Sequence, residues 1–316
     1  MEDNEAPDVR QYDYTFTIII PHHGIPQLLQ RCVASIPERD DMQIIVVDDN
    51  SPDGDRYLEL YPFLHRKNLE YYPTHEGRGA GYARNVGLDH ARGKWLLFAD
   101  ADDFFTYCFG EMLDKYKDSE VDMVFFNCNS CDSEYYTPSD RVYRSNWLID
   151  LEKTNYEDVE YGLRYDRTVP WCRLLKHDVV QRHKIRFDET PINDDTYFAC
   201  QVGYYAQNVA IDPHAIYMVT MRSGSLSFKK RSDEIRLACI DVHARYERFL
   251  RDHGVKICRR RTMHYNELTV MVIHREWSLF RQGIAVLRKY GFSNSNVICG
   301  ITWWVKGRVL RRLHIA

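Results

Sequence analysis

Residues 43–54 read Gln-Ile-Ile-Val-Val-Asp-Asp-Asn-Ser-Pro-Asp-Gly, and the fold is decided by how that stretch runs and where it stops. Four β-branched residues in a row show no alternation, so both faces of the strand must be covered, as in a parallel sheet layered between helices. The run ends abruptly at Asp48 and Asp49, and Asn50 to Gly54 supply turn chemistry. Upstream, residues 14–20 (YTFTIII) make a second strand of the same kind, expected to stop at Pro21. Between the two strands Leu28, Leu29, Cys32, Val33 and Ile36 recur at helical spacing. Downstream, residues 56–65 read as helical, 69–72 as a short strand, 77–81 as a loop and 82–91 as a helix. Residues 95–99 (WLLFA) form a further strand that ends at Asp100; 112–116 are helical and 123–127 (MVFFN) extended. Strand and helix in alternation predict right-handed crossovers and a doubly wound α/β sheet, whose ligands sit at the carboxyl ends of the strands. Later, Asn193, Asp194 and Asp195 open an expected helix over 196–206, and residues 233–252 and 262–290 read as Arg-rich helices.

The chain has 316 residues, 44% hydrophobic and 28% charged, enough to build a full core and to exclude disordered, collagen-like and disulfide-scaffold classes. Its net charge of −4 hides an asymmetry. From Lys229 onward there are 19 Lys/Arg against 7 Asp/Glu, a net of +12, while residues 1–228 hold 23 against 39, a net of −16. An acidic body suits metal and proton chemistry, and a basic tail suits anionic surfaces. Nine cysteines, an odd number in a long chain, favour a reducing, cytoplasmic compartment. Cys128 and Cys131 alone have Cys-x-x-Cys spacing, with no second pair to complete a zinc site, and read as ordinary thiols. The first ten residues are polar and acidic, unlike a secretory signal, and no run approaches the roughly 18 apolar residues of a membrane span.

Two strand ends carry carboxylates. Asp48 and Asp49 fit either a turn cap or a ligand site. Asp100-Ala101-Asp102-Asp103 places three carboxylates in four residues, which repel one another unless a cation joins them. Hard oxygen donors select Mg²⁺ or Mn²⁺, which keep open positions for phosphate oxygens. Gly77-Arg78-Gly79-Ala80-Gly81-Tyr82-Ala83-Arg84-Asn85 fails the dinucleotide fingerprint: Tyr82 stands where glycine is needed, and the loop does not follow the first strand. Such a loop running into a helix can instead close over a nucleotide.

The segments TIIIPHHG, IIVVDDNSPDGD, GAGYARNVGLDHARGKWLLFADADDFF and FDETPINDDTYF together resemble a family 2 glycosyltransferase, inverting and of GT-A fold, over roughly residues 14–228. The resemblance implies a Rossmann-like nucleotide-diphospho-sugar transferase domain there, after a polar lead-in of residues 1–13 and before a basic helical extension of residues 229–316. It also implies transfer of a hexosyl or N-acetylhexosaminyl group from a nucleotide-diphosphate sugar, a UDP-sugar, to a surface polysaccharide or lipid-linked acceptor. Carried residue by residue, Asp49 would accept from the base, Asp100 would touch the ribose, and Asp102 would ligate the divalent cation. Pro21 would begin the loop under the base, with His22-His23-Gly24 standing where the family usually has x-Tyr-Asn. Arg84 and Asn85 would face the nucleotide sugar, and Arg222, before Ser223 and Gly224, would close over the diphosphate. Asp194-Asp195 match the family's late acidic pair: Asp195 would be the general base, and Asp194 and Trp171 would lie near the acceptor. As an alternative, Asp194 and Asp195 make a favourable helix N-terminus.

Beyond residue 229 the resemblance fades. Within residues 302–313, Val305, Val309, Leu310 and Leu313 share one helical face and Arg308, Arg311 and Arg312 lie opposite, while Lys306 falls on the apolar side and blurs the pattern; Trp303 and Trp304 sit among them. Two readings stand: a basic amphipathic helix at the inner membrane face, or a helix docked on the catalytic domain. Nucleic acid is excluded as a partner, because the acidic body repels it and no recognition motif accompanies the charge. A nucleotidyltransferase would need a Gly-rich basic loop after the first strand, absent from residues 21–26, and a phosphatase a hydroxyl where Phe104 stands. The rival readings are a catalytically inactive sugar-binding or scaffold module and a nucleotidyltransferase of related fold.

Overall fold

The computed structural model describes residues 12–142, 156–222, 231–255 and 263–312; of residues 156–158, 263, 303, 304 and 306–312 it describes the backbone alone. Eight strands form one sheet: β1 (Tyr14–His22), β2 (Met42–Asp49), β3 (Leu69–Thr74), β4 (Gly93–Phe98), β5 (Phe104–Phe105), β6 (Met123–Asp132), β7 (Arg173–Lys176) and β8 (Val209–Met221), in the order β3-β2-β1-β4-β7-β6-β8-β5. The expected parallel sheet holds for β3-β2-β1-β4. The other half corrects it. β7 runs antiparallel to both β4 and β6, and β5 runs antiparallel to β8. A four-residue strand is too short to leave a periodic signal, so this reversal was not legible in the sequence.

Burial on both faces is realised by alternation between two cores. Phe16, Ile18, Ile20, Ile44, Val46, Trp95 and Leu97 share a cluster with Leu29, Cys32 and Val33 of α1 (Pro26–Ala34). Ile19, Ile45, Val47, Leu96 and Phe98 share the opposite one with Ala83 and Leu88 of α3 (Ala80–His90). Each such side chain contributes about 1.5–3 kcal/mol on full burial. The expected strand end at Pro21 is also corrected, since β1 continues to His22. Its pairing with β4 stops at Ile19, so beyond that point the strand has a single neighbour and proline's missing donor is tolerated.

The helical reading of residues 56–65 breaks into short pieces, among them α2 (Tyr57–Leu60), because Pro62 cannot continue a helix. α4 (Phe109–Tyr116), α5 (Tyr156–Tyr161), α6 (His177–Arg182) and α7 (Thr196–Tyr205) complete the layers. At the C-terminus α8 (Asp233–Asp252) is capped by the Ser232 hydroxyl, which accepts from Ile235 N–H at 3.3 Å. The single helix expected over 262–290 is two, α9 (Met263–Ile273) and α10 (Trp277–Lys289), divided where Arg275 takes a φ of +58°. With α11 (Asn294–Arg312) they enclose Ile240, Leu268, Met271, Leu279 and Leu287. Leu313 and the side chains of Trp303, Trp304, Arg308, Val309, Leu310, Arg311 and Arg312 lie outside the described residues, so the two-faced pattern is not described there; Val305 is exposed. Among the described residues no helix is long and apolar enough to cross a membrane.

Candidate active site

The carboxyl ends of β1, β2 and β4, the start of α3, the N-terminus of α7 and the end of β8 converge on one acidic hollow. At its floor β1 and β2 pair His22 with Asp48 in register. His22 Nδ1 lies 2.7 Å from the Asp48 carboxylate, and His22 Nε2 accepts from Ile25 N–H at 3.1 Å. Nδ1 is therefore the nitrogen that donates to Asp48. Burial pushes Asp48 up, but His22 and the Ser51 N–H and hydroxyl outweigh it and hold the carboxyl below its ordinary range.

Asp49, next along β2, is 6% exposed. Its carboxylate accepts from Arg78 N–H at 3.1 Å and Gly79 N–H at 2.6 Å, and so holds the loop that enters α3. Gly79 sits at φ +92°, a conformation glycine adopts without strain. Asn85, one turn into α3, exchanges two hydrogen bonds with the Phe187 main chain, 3.0 and 2.9 Å long. Its amide thus ties α3 to the loop before Asp194. The nearby α3 residue Gly81 passes so close to that loop that a Cβ would lie 1.9 Å from the Asp188 carbonyl oxygen.

Arg84 is the hub. It is 5% exposed and donates from Nη2 to Asp100 at 2.6 Å and from Nη1 to Asp194 at 2.5 Å. Burial opposes its charge, and Asp194 and Asp100 more than offset that, holding it above the usual range. Asp100 heads the acidic loop; its N–H donates to the Tyr217 hydroxyl at 2.8 Å. Burial raises the Asp100 carboxyl despite Arg84, and Asp102 adds to the rise. Asp103 is driven well above the carboxylate range by burial and by Asp100 and Asp102, although Thr220 N–H donates to it at 2.7 Å. Asp102 points its carboxylate to Arg222, whose Nε donates at 3.1 Å. The Asp102 carbonyl accepts from Thr220 Oγ1 at 2.6 Å and from Arg31 of α1.

At the opposite side Asp194 and Asp195 precede α7. Asp195 is its N-cap residue without capping the helix with its side chain; the Thr196 hydroxyl donates to it at 3.5 Å. Burial first, and Asp194 beside it, push the Asp195 carboxyl up to about 7, with Arg84 pulling the other way. Helix α8 braces this turn: the Asn193 amide lies 3.2 Å from His243 Nε2, and Arg245 donates to Asp188.

Of the residues named from sequence, Asp49, Arg84, Asp100, Asp102, Asp194, Asp195 and Arg222 thus gather at the sheet's carboxyl end. Pro21 is buried within β1, opposite Val47. Trp171 is 8% exposed and stacks on Tyr217, centroids 5.7 Å apart, beneath the acidic loop. Sequence reading passed over Arg31, Tyr217 and Thr220, and took His22 only as a departure from the family's pattern. His22 and its neighbour in register, Asp48, ended adjacent strands and could have been paired on that ground; the other three carried no signal. Among the described residues no three His, Cys, Asp or Glu side chains are arranged to hold a metal by themselves. Among the described residues no disulfide joins any of the eight cysteines, Cys128 and Cys131 included.

A mixed α/β sheet with an acidic cluster gathered at the carboxyl ends of its parallel strands is the class of architecture in which ligands bind at that end. The chain belongs to glycosyl transferase family 2, whose profile matches residues 17–183, more than half of its length. It is 25% identical to glycosyltransferase GlyA of Streptococcus pneumoniae over 229 residues, covering 68% of this chain and 32% of GlyA. It is also 25% identical to the uncharacterized glycosyltransferase EpsJ of Bacillus subtilis, covering 69% of this chain and 65% of EpsJ. The match thus spans less than two thirds of either relative. Staphylococcus aureus TarS, solved in complex with UDP-GlcNAc, superposes with a TM-score of 0.57 at 19% identity, over 89% of this chain and 74% of that one. The mannosyltransferase PcManGT of Pyrobaculum calidifontis, solved with GDP-Man and Mn²⁺, gives a TM-score of 0.52 at 16% identity over 96% and 84%. These likenesses show that the fold is GT-A, with helices appended at the C-terminus.

Proposed function

We propose that the chain is an inverting, divalent-metal-dependent glycosyltransferase that moves a hexosyl or N-acetylhexosaminyl group from a UDP-sugar to a cell-envelope polysaccharide or lipid-linked acceptor. The observation that carries this reading is Asp195: a carboxyl at the N-terminus of α7, beside Asp194 and within reach of Arg84 and Asp100, that burial pushes up to about 7. A general base works best with a pKa near the working pH. In a single displacement the acceptor oxygen bonds to the anomeric carbon while its proton passes to the Asp195 carboxylate. The bond from that carbon to phosphate oxygen breaks, and its electron pair leaves with the nucleoside diphosphate. Opposite faces for base and leaving group make the reaction inverting.

Asp49 reads the base, Asp100 the ribose, and Arg222 closes on the diphosphate. The acidic loop fits a hard divalent cation, because Asp100 and Asp102 crowd Asp103 with negative charge, and among the described residues Arg222 is the one cation paired with the Asp102 carboxylate. Asp102 would hold the ion together with diphosphate oxygens, consistent with a cation that takes few protein ligands. When bound, the ion neutralises charge developing on the leaving diphosphate. The acceptor class draws support from relatives named for envelope polymers, among them the minor teichoic acid biosynthesis protein GgaB of B. subtilis.

Calorimetry with nucleoside diphosphates, with and without Mn²⁺, tests the proposal. UDP should bind more tightly than other nucleoside diphosphates, and Asp102→Ala should remove the Mn²⁺-dependent part of the affinity. Unchanged Mn²⁺-dependence in the variant would refute the metal assignment. Equal affinity for every base would refute a uridine donor.

A further inference from the structure

We infer that Asp194 is a positioning residue for the donor: it acts through the Arg84 guanidinium to fix Asp100, although it stands on the acceptor side of the hollow. This rests on the reading of Asp100 as a donor contact. Three observations carry it. Arg84 donates from separate terminal nitrogens to Asp100 and Asp194, at 2.6 and 2.5 Å. Its Nε is buried without a hydrogen-bond partner, and its plane lies over the Phe187 ring at 5.4 Å. At 5% exposure the guanidinium is enclosed by these groups rather than open to solvent.

A planar fork held this way transmits position, since moving one carboxylate moves the cation and hence the other. Asp100 has one further fixed point, its own N–H on the Tyr217 hydroxyl. Without the Asp194 charge, Arg84 is drawn wholly to Asp100 and the side chain meant for the nucleoside is displaced. The neighbouring carboxylates therefore divide the work. Asp195, which makes no bond to Arg84, takes the proton; Asp194 keeps the donor's contact in place.

The test is UDP affinity by calorimetry for the wild type, Asp194→Asn, Asp194→Glu, Asp195→Asn, Arg84→Lys and the double variant Arg84→Lys/Asp194→Asn. Asp194→Asn should weaken UDP roughly tenfold, as loss of a charged hydrogen-bond partner would. Asp194→Glu, which restores the carboxylate, should recover most of that loss, and Asp195→Asn should bind UDP as the wild type does. In the double variant the Asp194 effect should vanish, because its path through Arg84 is already broken. In donor hydrolysis Asp194→Asn should raise KM more than it lowers kcat, and Asp195→Asn the reverse. A purely structural ion pair would lower the melting temperature without this split. Wild-type UDP affinity in Asp194→Asn, or full additivity in the double variant, overturns the inference alone. A wild-type protein that binds no nucleoside diphosphate overturns it together with the proposed function.

Discussion

Asp194 and Asp195 adjoin in sequence yet meet different surroundings, and only Asp194 is tied to a cation. Asp195→Asn should therefore lower turnover by about 10²–10⁴-fold, the usual worth of a general base, with the Michaelis constant for donor little changed. The pH profile follows with its sign. The base must be ionised to accept a proton, so kcat/KM should climb with pH through about 7 and level off above it. In stability the same group acts oppositely. Its folded pKa is raised, so its favourable contribution is full below the ordinary carboxyl value and is lost as pH rises through about 7. A flat activity profile between pH 5.5 and 8.5 would remove Asp195 from the reaction. At this scale the acidic residues were legible because carboxylates at the ends of buried strands demand an explanation from chemistry. Arg31, Thr220 and Tyr217 were not, since an arginine on a helix or a tyrosine in a strand is ordinary until its partner is known to be the acidic loop.

Among the elements, α3 is held to the loop before α7 at backbone distance, and Gly81 is the contact. Gly81→Ala would put a methyl group 1.9 Å from the Asp188 carbonyl oxygen, against main chain rather than a movable side chain. Overpacking of that kind costs about 1–3 kcal/mol. Arg84 lies within the first turn of the same helix, so UDP affinity should fall along with the melting temperature. Loss of thermal stability with full UDP affinity would show that the helix start can shift without disturbing the hub. A second joint lies on β8. Asp212 is 1% exposed and accepts from Lys115 at 2.6 Å and Tyr116 at 2.9 Å, both on α4. Burial works against its charge, but these donors and the His214 main chain and ring outweigh it and bring the carboxyl to about 2. The stability it contributes is present above the ordinary carboxyl value and is lost as pH falls toward about 2. Asp212→Asn should cost about 1.5–3 kcal/mol near neutrality, with the difference from wild type shrinking in acid melts. β1 and β2 were readable from their β-branched runs and β4 from its uninterrupted Trp-Leu-Leu-Phe. β8 was not, because Pro213 breaks its pattern; the structure absorbs that proline where register with β6 jumps from Phe126↔Asp212 to Asn127↔Ala215.

For the whole molecule, the asymmetry of charge has a spatial counterpart. The basic helices α8 to α11 form their own core and lean on the acidic body through Tyr246, whose hydroxyl donates to the Tyr165 carbonyl at 2.8 Å. Trp277, Ile298 and Val305 are exposed on α10 and α11, amid the excess of arginine and lysine. Sedimentation with phosphatidylglycerol vesicles should bring the chain down at low salt and release it as salt rises, while phosphatidylcholine vesicles should not. Equal binding to both lipids, or to neither, would leave the extension a packing element of the fold. The central reversal of the sheet bears on how the chain emerges from the ribosome. β4 is complete at Phe98, but the strand that pairs with its free edge, β7, ends only at Lys176. For the synthesis of nearly eighty residues a strand of sequence Gly-Lys-Trp-Leu-Leu-Phe has an open side of unpaired amides and carbonyls. Such an edge pairs readily with another nascent chain. Pauses in translation before β7 has left the ribosome prolong that exposure, whereas later pauses find the edge able to close.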